Sequence, residues 1–233
     1  MPDAASSDAA HADAETGLTV FGTWRVGAAA RQRAAVDALA AAWSARPWPT
    51  RDLRAYDVLA SIDGATLLHR SQWAVQDAQR AVLPDRSWKD EVDRAVPGIE
   101  RAGVIGGQLH RSRTTEDTPR AAGCIVLVTR TFDGSDPARA RARTDALFEA
   151  TADTPAPAGL LSARFYLSPD GRHVLNYAEW TDAEAHQAAI TQPPPETVDR
   201  AQWRQVHDWP GLTHTTFDRF HPGRQITGAN ARR

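Results

Sequence analysis

The chain has 233 residues, 42% of them hydrophobic and 24% charged, with a formal net charge of −2. That length suits two domains of about 100 residues each. The near-neutral charge offers no broad cationic field to nucleic acid, and no apolar run reaches the ~20 residues that cross a bilayer, so neither nucleic acid nor a membrane is an expected partner.

Residues 1–16 are Ala, Asp, Ser and His without a basic or apolar leader segment, which predicts a solvated tail and a cytoplasmic protein. A first unit is expected over 17–113. Its opening run, Leu18 to Val26, is β-rich, and from Ala29 the period changes: Val36, Leu39, Ala40 and Trp43 lie on one helical face. Arg46-Pro47-Trp48-Pro49 stops that helix. A strand near Leu53–Ile62, a turn at Asp63-Gly64 and a strand ending at Trp73 follow, then a helix, and Val104–His110 reads as the fourth strand. The order is β-α-β-β-α-β.

Residues 114–121 read as a linker, and the same order returns over 122–222, with strands near Ala122–Phe132, Leu160–Leu167, His173–Trp180 and Leu212–Phe220. Helices are expected near Pro137–Thr151 and Ala183–Ile190, with a further helical piece at Val198–His207 after Pro193-Pro194-Pro195. The segment 223–233 reads as a tail. The repeat is clearest where Asp63-Gly64 precedes Leu67-Leu68-His69-Arg70-Ser71-Gln72-Trp73 and Asp170-Gly171 precedes Val174-Leu175-Asn176-Tyr177-Ala178-Glu179-Trp180 at equal spacing. The fold class expected is α+β: two tandem ferredoxin-like units packed sheet to sheet as an intramolecular dimeric α+β barrel.

Alternation along a strand places Asn176, Ala178 and Trp180 on one face, with His69, Ser71 and Trp73 in the same places of the first copy. An amide beside an indole offers hydrogen bonds and a flat wall for a planar aromatic ligand. The Asn-x-x-x-Trp strand followed by Thr181-Asp182-Ala183-Glu184-Ala185-His186 resembles the antibiotic biosynthesis monooxygenase family of dimeric α+β barrels. The resemblance implies oxidation of a phenolic or anthrone-like polyketide by dioxygen to a quinone, with O2 as co-substrate and no other cofactor, and it implies that Asn176 and Trp180 lie in the substrate pocket. His69 replaces the Asn in the first copy, so the principal pocket is expected in the second.

General-base chemistry asks for a histidine, and His186 on the helix after Trp180 is the first candidate, with His207 and His214 behind it. Arg164 and Tyr166, sharing a face with Ser162, are candidate pocket groups; Leu161, Ala163, Phe165 and Leu167 read as core. Trp203 and Trp209 are candidates for a lid, as is Trp88 in the first copy; His69 and Trp73 would line the first-copy pocket.

The lone Cys124 opens an apolar run and reads as a buried structural thiol. The histidines are scattered, which gives no metal site. The resemblance extends to haem-degrading relatives that need an axial histidine about one turn beyond His186; Ile190 and Leu83 stand there in the two copies, so haem is not an expected cofactor. An aromatic polyketide cyclase and a non-catalytic ligand-binding or assembly protein are the alternative readings. A monomeric pseudo-dimer and a homodimer are both compatible with the repeat.

Overall fold

The computed structural model describes residues 17–77, 80–83, 85–115, 120–192 and 200–227. The expected tail at 1–16, the proline run at 193–195, the beginning of the helical piece at Val198, part of the linker and the last six residues lie outside them.

The chain divides into two compact units between Gln108 and Leu109, and the segment from Gly223 returns to the first. The first unit holds β1 (Leu18–Arg25), α1 (Ala29–Ser44), β2 (Leu53–Ala60), β3 (Thr66–Trp73), α2 (Ser87–Ala95) and the opening part of β4 (Glu100–Thr114). The second holds β5 (Cys124–Phe132), α3 (Pro137–Ala150), β6 (Leu160–Leu167), β7 (His173–Trp180), α4 (Ala183–Thr191), α5 (Arg200–His207) and β8 (Leu212–Phe220). Strand order is β4-β1-β3-β2 in one and β8-β5-β7-β6 in the other, antiparallel throughout. Each is a ferredoxin-like unit, as the sequence pattern predicts.

Register shows how deep the duplication runs. Trp73 stands opposite Leu18 on one side and Leu53 on the other; Trp180 stands opposite Cys124 and Leu160. In both units the pairing with the preceding strand slips next to that Trp, between Leu53 and Ala55 and between Leu160 and Ser162. A β-bulge kept in both copies re-aims the same end of the sheet.

The turns repeat atom for atom. Ser61 Oγ donates to Asp63 Oδ1 at 2.5 Å and accepts from Thr66 N at 2.8 Å, while Asp63 Oδ1 accepts from Ala65 N at 3.0 Å. Ser168 Oγ donates to Asp170 Oδ1 at 2.6 Å and accepts from His173 N at 2.9 Å, with Asp170 Oδ1 accepting from Arg172 N at 3.0 Å. The Asp supplies a side-chain cap and only the glycine takes the left-handed conformation, at φ +77° for Gly64 and +70° for Gly171. A Cβ on Gly64 would meet Ala29, and one on Gly171 would meet the Asp136–Pro137 peptide, so each turn packs against the start of the unit's first helix.

One element departs from the sequence reading. Arg224–Thr227, expected to be tail, forms β9 antiparallel to β2 in the first unit. Gly223 makes this approach possible, because a Cβ there would come within 2.5 Å of the Val58 carbonyl oxygen. The strand covers an otherwise unpaired edge.

Candidate active site in the second unit

Helices cover one face of the second sheet. Asn176 lies on that face between Val128 and Phe165, Ala178 between Val126 and Ala163, and Trp180 beside Cys124. Val126, Phe132, Phe165, Val174, Ala178 and Trp180 form the buried core there, closed by Leu147 and Phe148 of α3 and by Ala183, Ala185 and Ala189 of α4. Cys124 is fully buried within it, and burial raises its thiol pKa, as expected of a structural thiol. Two polar atoms stand apart from this apolar setting: Asn176 Oδ1 and Trp180 Nε1 are buried with no hydrogen-bond partner among the described residues. Buried polar groups are almost always satisfied, so an unmet acceptor and an unmet donor on one face call for an explanation.

His186 reaches this face from α4. Its N-terminal turn is fixed by Asp182, whose Oδ1 accepts from Ala185 N at 2.7 Å. The imidazole is 4% exposed, and its ring centroid lies 5.1 Å from that of Trp180, edge to face. Arg219 of β8 donates from Nε to His186 Nδ1 at 2.9 Å and from Nη2 to Gln187 Oε1 at 2.6 Å. Burial, reinforced by the Arg219 charge, pushes the His186 pKa down to about 4. His186 is therefore a neutral imidazole whose proton is on Nε2.

Two arginines that the sequence pattern does not single out face the same interior. Arg143 of α3 is 1% exposed, and its Nε and Nη1 have no partner among the described residues. Arg130 of β5 stands opposite Val174, one same-face position along from the Val128–Asn176 pair, and its Nη1 is also buried without a partner. Burial, then the Arg130 charge, pushes the Arg143 pKa down to about 9, and burial brings Arg130 to about 10. The sequence does carry one signal: Arg143 interrupts the buried stripe of α3 between Ala140 and Leu147.

Other sequence candidates do not join this site. Arg164 pairs with Tyr177 and so lies on the opposite face, where its Nη1 donates to Ser162 Oγ at 3.0 Å and to Glu179 Oε2 at 3.2 Å. Tyr166 shares that face and is buried there. Phe165 and Ala163 are the β6 residues beside Asn176 and Ala178, so the core face and the site face are one. His214 stands opposite Thr131 on the face away from the helices and is exposed. Trp203 of α5 packs its ring 4.4 Å from His207, and His207 Nδ1 hydrogen-bonds the Trp203 carbonyl oxygen at 2.8 Å. Trp209 is half-buried against the core edge.

No protein-family model and no curated protein matches the sequence. Solved structures do. An anthrone oxidase-like protein aligns over 93% of this chain and 95% of its own at TM-score 0.68 and 14% identity. A putative monooxygenase from Lactobacillus acidophilus aligns over 91% and 97% at TM-score 0.53 and 8% identity, and one from Fusobacterium nucleatum over 91% and 95% at 0.54 and 6%. The chain shares the fold of these three structures. At these identities the likeness is one of fold.

In the first unit the same fold is filled with aromatic rings. His69, standing where the second unit has Asn176, is 7% exposed; Tyr56 Oη hydrogen-bonds its Nδ1 at 2.5 Å, and burial pushes its pKa down to about 3. The Trp24 ring lies 4.1 Å from His69 and stacks on Trp88 at 6.0 Å. Trp73 is buried and donates from Nε1 to Ser71 Oγ at 2.9 Å. Trp88, expected to be a lid, is a core residue 5% exposed, and a cavity of about 220 Å³ opens beside it, lined by Trp43, Arg46, Trp48, Leu83 and Asp85 among others.

Proposed function

We propose that the helix-side face of the second unit is the active site of a monooxygenase that oxidises a polycyclic phenol or anthrone to a quinone with dioxygen and no prosthetic group. The observation that supports it is the pair of unmet polar atoms, Asn176 Oδ1 and Trp180 Nε1, on the face that lines the apolar core. A flat ligand bearing hydroxyl and carbonyl oxygens would meet both and stack on the indole.

The electron balance needs nothing further. The anthrone CH2 loses a proton to solvent and leaves an electron-rich enolate that passes one electron to O2; recombination forms a C–O bond, the peroxide anion takes a proton back from solvent, and loss of water from the hydroperoxide leaves C=O. One O2 is consumed, with one oxygen retained and one released as water. The chain's part is to hold the substrate oxygen at Asn176, to wall the rings with Trp180 and to present the His186 Nε2–H as a donor to developing negative charge. A cytoplasmic location, and action as a monomeric pseudo-dimer or a homodimer, complete this reading.

Oxygen uptake with a dihydroxyanthrone, corrected for autoxidation and without added metal or flavin, tests the reading. One O2 per quinone is expected, with kcat/KM lowered about tenfold or more in Asn176→Ala and Trp180→Phe. Undiminished rates in both variants would overturn it.

A further inference from the structure

The two copies differ on this face at three positions together. The pairing of Leu18 with Trp73 and of Cys124 with Trp180 sets the correspondence along the strands: Trp24, opposite Leu67, is matched by Arg130, opposite Val174. Along the first helices the buried positions Gln32, Ala35 and Leu39 match Ala140, Arg143 and Leu147. His69 is matched by Asn176. An indole, a methyl group and a neutral imidazole in one unit thus become two guanidiniums and an amide in the other. In the first unit Trp24 touches His69, so the matching strand position brings Arg130 beside Asn176.

Two like charges with three buried, unmet N–H-bearing atoms between them are a costly arrangement for a fold to keep with nothing opposite. No carboxylate pairs with either guanidinium among the described residues. The guanidinium fork matches the geometry of a carboxylate, and a cation held in a low-dielectric interior attracts an anion far more strongly than it would in water.

We infer that Arg130 and Arg143 form an anion-binding subsite next to Asn176, and that the substrate of this site is a polycyclic aromatic carrying a carboxylate. The inference rests on the proposed placement of the active site and narrows its substrate class. The carboxylate anchors one end of the ring system, and Asn176 and Trp180 meet the oxygen and ring where oxidation occurs. The first unit, with Trp24 and Ala35 at these positions, has no such anchor.

The test is calorimetric titration of the full chain at pH 7.5 with anthracene-2-carboxylate, its neutral carboxamide and 2-hydroxyanthracene. The carboxylate is expected to bind at least about tenfold more tightly than either neutral probe, a preference lost in Arg143→Met and Arg130→Met and partly kept in Arg143→Lys. The melting temperature of Arg143→Met is expected to match or exceed that of the native chain. Equal binding of carboxylate and carboxamide, binding of none of the three, or a preference that survives both Met variants would overturn the inference. Tighter binding of the hydroxy compound would overturn it in favour of a phenolate site, and a marked fall in the Arg143→Met melting temperature would show the guanidinium to be paired within the fold. Failure of the oxygenase reading looks different: the carboxylate preference would stand, unaltered in Asn176→Ala, while no probe or dihydroxyanthrone supported oxygen uptake.

Discussion

Arg219 donates to His186 Nδ1 at 2.9 Å, and this one bond decides what the histidine can do. A neutral imidazole has a single lone pair, and here it points at a cation. Protonating Nδ1 would break the bond and place two positive charges in contact, so the ring stays neutral through the physiological range. The expected outcome is an NMR titration in which the His186 ring protons move only towards pH 4, the direction set by burial and by Arg219. In Arg219→Met the second cause is gone, and the midpoint is expected to rise. A native midpoint near 6.5 would return His186 to the candidate bases.

The first unit offers the reciprocal experiment. His69→Asn restores the Asn-x-x-x-Trp spacing ahead of Trp73, and the motif taken alone would predict a second active site. The ring of Trp24, 4.1 Å from His69 and stacked on Trp88, occupies the ground that a ligand would need. The double variant His69→Asn/Asn176→Ala is therefore expected to be no more active than Asn176→Ala alone, measured as oxygen uptake. Rescue would mean that the aromatic cluster yields to substrate.

The repeat and the ferredoxin-like order are legible in the sequence because Asp-Gly turns and terminal Trp residues carry strong local signals at equal spacing. Ser61 and Ser168 are not, because a serine two residues before an Asp reads as the end of a strand, although its hydroxyl closes the whole turn. Arg164 and Tyr166 read as pocket groups because alternation divides a strand into two faces without saying which of them meets the neighbour's Asn176. That is fixed by register, and the register passes through the bulge at Leu160 and Ser162, which no single strand reveals. Arg130 and Arg143 are lost among dispersed arginines of solvated appearance. Arg143 stands out only as a break in the apolar stripe between Ala140 and Leu147, and Arg130 only when matched against Trp24 of the other copy. Arg224–Thr227 shows no period of its own, and its strand depends on the edge of β2 and the space at Gly223.

Acid sensitivity follows from the two buried histidines. Both have folded pKa values below the ordinary 6.5, at about 3 for His69 and about 4 for His186. The unfolded chain therefore binds protons that the folded chain refuses: the stabilisation is complete above pH 6.5 and is lost as the pH falls from there towards the folded values. Each histidine contributes a slope of up to about 1.4 kcal/mol per pH unit in that window. Denaturant unfolding between pH 7 and 4.5 is expected to show falling stability, with a shallower slope in His69→Gln. An unchanged slope would mean that His69 is protonated in the fold.

The turns permit a matched pair of substitutions. In Ser61→Ala the Thr66 N–H loses its hydroxyl acceptor and Asp63 loses a donor; Ser168→Ala does the same to His173 and Asp170. Each loss is expected to cost about 1–2 kcal/mol, since the groups are partly buried and charge-assisted bonds are the stronger kind. The two sets share no partner, so the effects of the double variant should add to within about 0.5 kcal/mol. Gly171→Ala should be worse than either, because its backbone lies at φ +70° and the new Cβ would come within 2.3 Å of the Asp136 carbonyl carbon, forcing the start of α3 to move. Chemical denaturation of the four variants checks the order. A Gly171→Ala protein as stable as the native one would show that the turn is not held against α3.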